Sequence, residues 1–221
     1  SGTGELLDAL ITHFEEDGLE DPDAGIPKIS ILGRPNAGKS SFLNALIGQE
    51  RSIVTDEAGT TRDAIHTRYK FFGQDFIITD TAGIRKKAKV KEDVEFYSVM
   101  RSLRTLEESD VVIVMLDATR GLEAQDVNLI SLAIKNNKGV LIMVNKWDLV
   151  EDKETNTPRD FEIALKEKLS PNDYMPVVFT SVLTKQRIFK AIEVAINVYE
   201  NKRKRVPTSK LNDIMLKEIE R

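Results

Sequence analysis

The chain has 221 residues, enough for one well-formed core, and its 41% hydrophobic and 31% charged content is ordinary for a soluble globular protein. A formal net charge of −4 excludes a surface that is a nucleic-acid-binding field throughout, so any contact with a polyanion must come from a local patch. The absence of cysteine excludes disulfides, thiolate metal sites and thiol nucleophiles, and it suits a reducing compartment.

The first residues do not begin with Met and lack the basic start of a signal peptide, and no apolar run approaches the roughly 20 residues of a membrane span. The expectation is a cytoplasmic protein, and a fragment of a longer one. Residues 1–16 carry an apolar stripe of Leu6, Leu7, Leu10, Ile11 and Phe14 at helical spacing. The acidic, glycine- and proline-bearing residues 17–27 have no apolar period and read as a linker. An amphipathic helix that runs straight into a linker has no neighbour to bury its stripe, so it reads as the closing helix of a preceding domain.

Residues 28–205 are expected to form one domain. Residues 29–32 make a short buried-type strand, and residues 39–47 have helical spacing that ends at Gly48. Residues 64–72 and 75–79 flank Gly73-Gln74 and predict a hairpin. Residues 111–116, 140–144 and 177–179 are apolar strands, with helical patterns at 95–106, 123–135, 160–169 and 187–201. Apolar strands alternating with helices predict an α/β fold, a mostly parallel doubly wound sheet with helices on both faces. Lys202, Lys204 and their arginine neighbours then close the last helix, where cations complement the helix dipole. Residues 206–221 read as the start of a further domain.

Three motifs fall at strand ends. Gly33-Arg34-Pro35-Asn36-Ala37-Gly38-Lys39-Ser40 has the spacing of a P-loop, between a strand and a helix, with Ser41 following. Its glycines let backbone N–H groups converge on phosphate oxygens at a helix N-terminus. Lys39 can reach the outer phosphates, and the Ser40 hydroxyl can ligate magnesium. Asp80-Thr81-Ala82-Gly83 ends the strand before it, where Asp80 can hold magnesium and Gly83 can offer its N–H to a γ-phosphate. Asn145-Lys146-Trp147-Asp148 selects the base. Guanine presents an N–H and an amino group side by side, and the Asp148 carboxylate can accept from both, whereas adenine shows an acceptor there. Asn145 is expected to contact the base and brace the P-loop, with the Lys146 stem along the ring. The expected substrate is GTP and the product GDP, with Lys39, Asp80 and Gly83 among the catalytic groups. The residue after the Asp80 motif is Ile84, where many GTPases carry a water-orienting glutamine.

The chain resembles the bacterial EngA (Der) family, within the TrmE-Era-EngA-like GTPases, and in particular their second G domain. The resemblance rests on residues 33–41, Gly59-Thr60-Thr61-Arg62-Asp63, residues 80–91, Asn145 to Leu149 and Leu183-Thr184-Lys185-Gln186-Arg187. It implies that Thr61 (or Thr60) is a switch threonine on magnesium, and that Ser181, Val182 and Leu183 contact guanine through backbone. It implies that Asn36 helps hold a potassium ion bridging the phosphates, although Asn36 can also simply stabilise the loop. It further implies a preceding G domain, a following KH-like domain, and a role in assembly of the large ribosomal subunit with contact to rRNA. The other functional class kept open is a GTP-binding scaffold or RNA- or ribosome-binding module with little turnover.

Residues 51–63 and 85–94 flank the γ-phosphate position and are expected to be switches. The basic run Arg85, Lys86, Lys87, Lys89 and Lys91 is either an rRNA contact or a solvated loop. Arg62 is either an internal arginine finger or the partner of Asp63, and the pairing is the favoured expectation. His13 and His66 have no companion ligands, and Trp147 is expected to pack beside the base site.

Overall fold

The computed structural model describes residues 23–47, 53–58, 65–71, 73–79, 105–151, 154 and 157–219. Residues 1–16, the Gly48 cap, most of the 95–106 helical pattern and residues 85–94 lie outside the described residues.

Two seven-residue strands form the centre. Strand β5 (Val111–Asp117) and strand β6 (Gly139–Asn145) are buried at every position. Continuous apolar sequence suits a strand covered on both faces, and the two pair in parallel from Val111↔Gly139 to Asp117↔Asn145. On the other side of β5 lies strand β1 (Lys28–Leu32), and beyond β6 lies strand β7 (Val177–Phe179), both parallel. Strand β4 (Gln74–Ile78) runs parallel to β1, while strand β3 (Ile65–Phe71) and strand β2 (Ile53–Ala58) add antiparallel pairs. The resulting order is β2-β3-β4-β1-β5-β6-β7.

Alternate residues of the central strands feed two cores. Ile113, Met115, Leu141 and Met143 face helix α1 (Lys39–Ile47) and helix α4 (Ile188–Arg203), where Phe42, Leu43, Ile188 and Ile192 are buried. Val112, Val114, Ile142 and Val144 face helix α2 (Ala124–Lys135) and helix α3 (Thr157–Leu169) through Ile130, Ala133, Leu165 and Leu169. The doubly wound α/β sheet expected from the sequence is therefore present. Among the described residues, no helix is long and apolar enough to cross a membrane.

Two boundaries differ from the sequence reading. Strand β2 lies within the 51–63 segment that the sequence reading treats wholly as a switch. Ile53, Val54 and Thr55 favour a strand, but Asp56 and Glu57 hide the pattern, as acidic residues on an edge strand often do. Helix α3 begins three residues before the apolar period does, since the Thr157 hydroxyl accepts from the Glu154 N–H at 2.8 Å and Pro158 is tolerated in a first turn. Helix α5 (Thr208–Ile219) follows a short non-helical stretch after α4 and exposes Leu211, Ile214, Met215, Leu216 and Ile219.

Gly139 lets α4 sit close to the sheet. A Cβ there would lie 2.6 Å from Val198 Cγ1 and 3.2 Å from Val111 Cγ2. Gly139→Val should therefore overpack the contact and cost about 1–3 kcal/mol, read as a lower denaturant midpoint. A midpoint equal to that of the wild type would show that α4 does not press on β6.

Candidate functional site

The site lies beyond the C-terminal ends of the parallel strands, where ligands bind in sheets of this type. The chain leaves β1 through Gly33 and enters α1 at Lys39. Gly33 has φ +147°, and a Cβ on it would strike the Met115 carbonyl oxygen of β5. Gly38 has φ +109°, and a Cβ there would strike the Asn145 side-chain amide. Both motif glycines are thus required by close approach as well as by backbone conformation. Between them, Pro35 and Asn36 form an exposed tip, and Asn36 takes φ +64°. Asparagine tolerates this left-handed conformation better than most residues, which gives Asn36 a reason to be there apart from any ion. The Lys39 ammonium donates to the carbonyl oxygens of Gly33 at 2.7 Å and Arg34 at 2.6 Å, inside the loop's own curve. Ser40 and Ser41 follow in the first turn of α1.

The Arg34 side chain does not join the loop's rim. It is buried, donates from Nε to Asp126 Oδ1 at 3.0 Å and from Nη2 to the Gly121 carbonyl at 3.1 Å, and pairs with Glu123. Burial alone would lower the guanidinium pKa; Asp126 and then Glu123 outweigh it and raise it.

Asn145 ends β6 and is buried. Its Nδ2 donates to the Ala37 carbonyl at 2.8 Å, and its Oδ1 accepts from the Val182 N–H at 3.0 Å. One amide therefore ties the P-loop and the 181–183 loop to the base motif. Ser181 is buried and pairs with Gln186 in both directions, and its Oγ accepts from the Thr184 N–H. Leu183 stands exposed at the tip of that turn. Lys146 takes φ +62°, and its ammonium meets Asp117 Oδ2 at 2.6 Å. Burial pushes the Asp117 carboxyl pKa up, but Lys146 and Thr119 bonds to the charged form overcome that and hold it below the ordinary carboxylate value. A depressed pKa stabilises the fold above about pH 4, and this contribution disappears as pH falls through the lowered value.

Trp147 packs as expected beside this edge, with ring centroids 4.4 Å from Phe179 and 5.5 Å from Phe161. Asp148 is half-buried in the short 3-10 turn Trp147–Leu149, and its carboxylate makes no hydrogen bond or ion pair among the described residues. The remaining expected site residues, Asp80, Thr81, Ala82, Gly83, Ile84, Thr60 and Thr61, lie outside the described residues, as do Arg62, Asp63 and His13. Of His66 only the backbone, in β3, is described.

The sequence reading missed Asp117, Glu123 and Asp126. A carboxylate closing the apolar run of residues 111–116 was a usable signal for Asp117. Nothing local marked the other two as partners of Arg34. Asn145→Ala should leave the Ala37 carbonyl and the Val182 N–H unpaired inside the protein. A loss of about 2–4 kcal/mol is expected, read as a Tm lower by roughly 5–10 °C; an unchanged Tm would show that the two loops hold together without it.

A family profile described as 50S ribosome-binding GTPase matches residues 28–146, more than half of the chain. Over its whole length the chain is 58% identical to the GTPase Der of Cytophaga hutchinsonii and 58% identical to that of Flavobacterium johnsoniae. It spans 50% of each of these relatives. It is also similar to a crystal structure of Era in complex with MgGDPNP and a segment of 16S ribosomal RNA. That match has a TM-score of 0.56 and 27% identity, and it covers 82% of this chain and 58% of that one. The relatives carry the same family name that the motifs suggested. On the profile match, seated on the strand ends that build this site, the chain belongs to the family of 50S ribosome-binding GTPases.

Proposed function

We propose that this domain binds guanine nucleotide and hydrolyses GTP to GDP and phosphate, as a switch acting in assembly of the large ribosomal subunit. The observation that carries the nucleotide reading is the Asn145 amide, bonded at once to the P-loop and to the 181–183 loop. These bonds support a reading in which residues 33–40 cradle phosphates and the Asp148 carboxylate selects guanine at the same edge of the sheet. The family description and the relatives named GTPase Der support hydrolysis and the ribosomal role. Release of phosphate from GTP by the purified chain, with and without large ribosomal subunits, tests both parts.

Magnesium suits the donor set. It takes hard oxygen ligands, keeps several waters and leans on substrate phosphates. The Ser40 hydroxyl, at the start of α1, is such an oxygen, and Asp80 and Thr61 complete the proposed set. The ion would neutralise charge developing on the phosphates during hydrolysis. Lys39 would supply further positive charge there, and the Gly83 N–H would orient the γ-phosphate. The 17–27 linker and the bordering domains remain part of this proposal.

Base choice rests on Asp148. Asp148→Asn should weaken GTP binding and improve binding of xanthosine triphosphate, whose ring has a carbonyl where guanine has an amino group. Competition binding reads the preference, and an unchanged ratio would refute the assignment.

Potassium at Asn36 is separable from its backbone role. Turnover is expected to be faster in potassium chloride than in sodium chloride at equal ionic strength. Asn36→Gly keeps the left-handed backbone and loses the amide, whereas Asn36→Ala strains the backbone as well. Loss of the potassium effect in both variants supports the ion. Its survival in Asn36→Gly assigns Asn36 to the loop alone.

A further inference from the structure

The segment between β5 and α2 carries none of the three motifs, yet it holds a cation from two of them. Asp117, the last residue of β5, grips Lys146 of the base motif at 2.6 Å. The same carboxylate accepts from the Thr119 N–H at 3.0 Å and the Thr119 hydroxyl at 2.7 Å. The Asp117 carbonyl accepts from the N–H groups of Arg120 and Gly121, which fixes the turn that follows. Gly121, Glu123 and Asp126 then hold Arg34 of the P-loop through one carbonyl and two carboxylates. Asp126 is fully buried and also accepts from the Glu123 N–H at 3.1 Å, so it is itself pinned to the start of α2.

From this we infer that residues 117–126 form a two-armed bracket that sets the phosphate cradle against the base site, with Arg34 and Asp117 as positioning residues for nucleotide binding. The inference rests on the guanine-nucleotide reading above.

Each arm has a physical reason to matter. Lys146 sits in a left-handed conformation that costs a non-glycine residue energy, and its ammonium has four flexible bonds to the backbone. Ion pairing with Asp117 holds the aliphatic stem in one direction, which would fix it against a bound base. Arg34 is the residue after Gly33, and the Lys39 ammonium bonds to the carbonyls of both. A rigid, planar guanidinium with three anchors therefore fixes the backbone that curves around Lys39. The Arg34–Asp126 pair is out of water, where charge-assisted hydrogen bonds are little screened, and Asp117 is buried beside a partly exposed Lys146.

The two arms predict different signatures. The P-loop amides cradle the α- and β-phosphates, so loosening Arg34 should weaken GDP more than GMP. Loosening Lys146 acts at the base and should weaken GDP and GMP by one common factor. The test measures dissociation constants of both nucleotides, by competition with a fluorescent GDP derivative, on the 221-residue chain. Asp117→Asn is isosteric. The pair Arg34→Met with Asp126→Asn removes both buried charges together and keeps an acceptor for the Glu123 N–H, which avoids stranding a buried carboxylate. Arg34→Lys, which keeps the charge but loses the reach to Gly121, gives the same comparison with less strain on folding.

Asp117→Asn should raise both constants about tenfold, the effect of losing roughly one charge-assisted hydrogen bond. The Arg34 variants should raise the GDP constant several-fold more than the GMP constant, with Arg34→Lys intermediate. A variant that only lowers the folded fraction changes the number of sites and leaves that ratio alone. GDP binding by the wild type with unchanged constants in the variants overturns the bracket and leaves the nucleotide reading standing. An equal shift of the ratio by both arms also overturns it. Failure of the wild type to bind GDP overturns the nucleotide reading, and the bracket with it.

Discussion

A single buried carboxamide carries the arrangement of this site. Asn145 sits at the end of β6 with its amide nitrogen on the Ala37 carbonyl and its amide oxygen on the Val182 N–H. Only a side chain that both donates and accepts can bridge a carbonyl on one loop and an N–H on another. The position also limits its neighbours: Gly38 must lack a side chain because the amide fills that space. Motifs separated by more than a hundred residues in sequence are held to one geometry by two hydrogen bonds inside the protein.

The sheet explains why those bonds can form. Strands β1, β5 and β6 are parallel and in register, so their C-terminal ends come out side by side. The P-loop leaves β1, the Asp117 turn leaves β5, and the base motif leaves β6, so three chemically distinct loops share one edge. Because β5 and β6 are buried on both faces, the edge from which these loops spring is rigid. The Arg34–Asp126 pair is buried on both sides, so it works at low screening. Removing one partner of such a pair would cost more than the pair contributes net, because the other charge would stay buried.

Charge in this region is arranged by contact. A chain with net charge −4 nonetheless gathers Lys39, Lys146 and Arg34 around one edge. Two of these cations are neutralised by carboxylates of the 117–126 segment. Lys39 rests on carbonyl oxygens of the loop that is the proposed phosphate cradle.

Much of this protein could be read from residue order alone. The parallel sheet followed from apolar strands alternating with helical periods, because burial on both faces leaves no room for polar alternation. The tight turn of residues 33–40 was legible because close backbone approach demands glycine at fixed spacing, as Gly33 and Gly38 show. Strand β2 was hidden, since an edge strand with Asp56 and Glu57 lacks the apolar alternation that marks a half-buried one. Tertiary structure alone decided the rest. Arg34 looked like one more P-loop residue, and Glu123 and Asp126 like the acidic start of a helix. Their pairing spans about ninety residues and depends on the register of β1 beside β5. A local pattern records what a residue can do, whereas the partner of a buried charge is set by which strands lie next to each other.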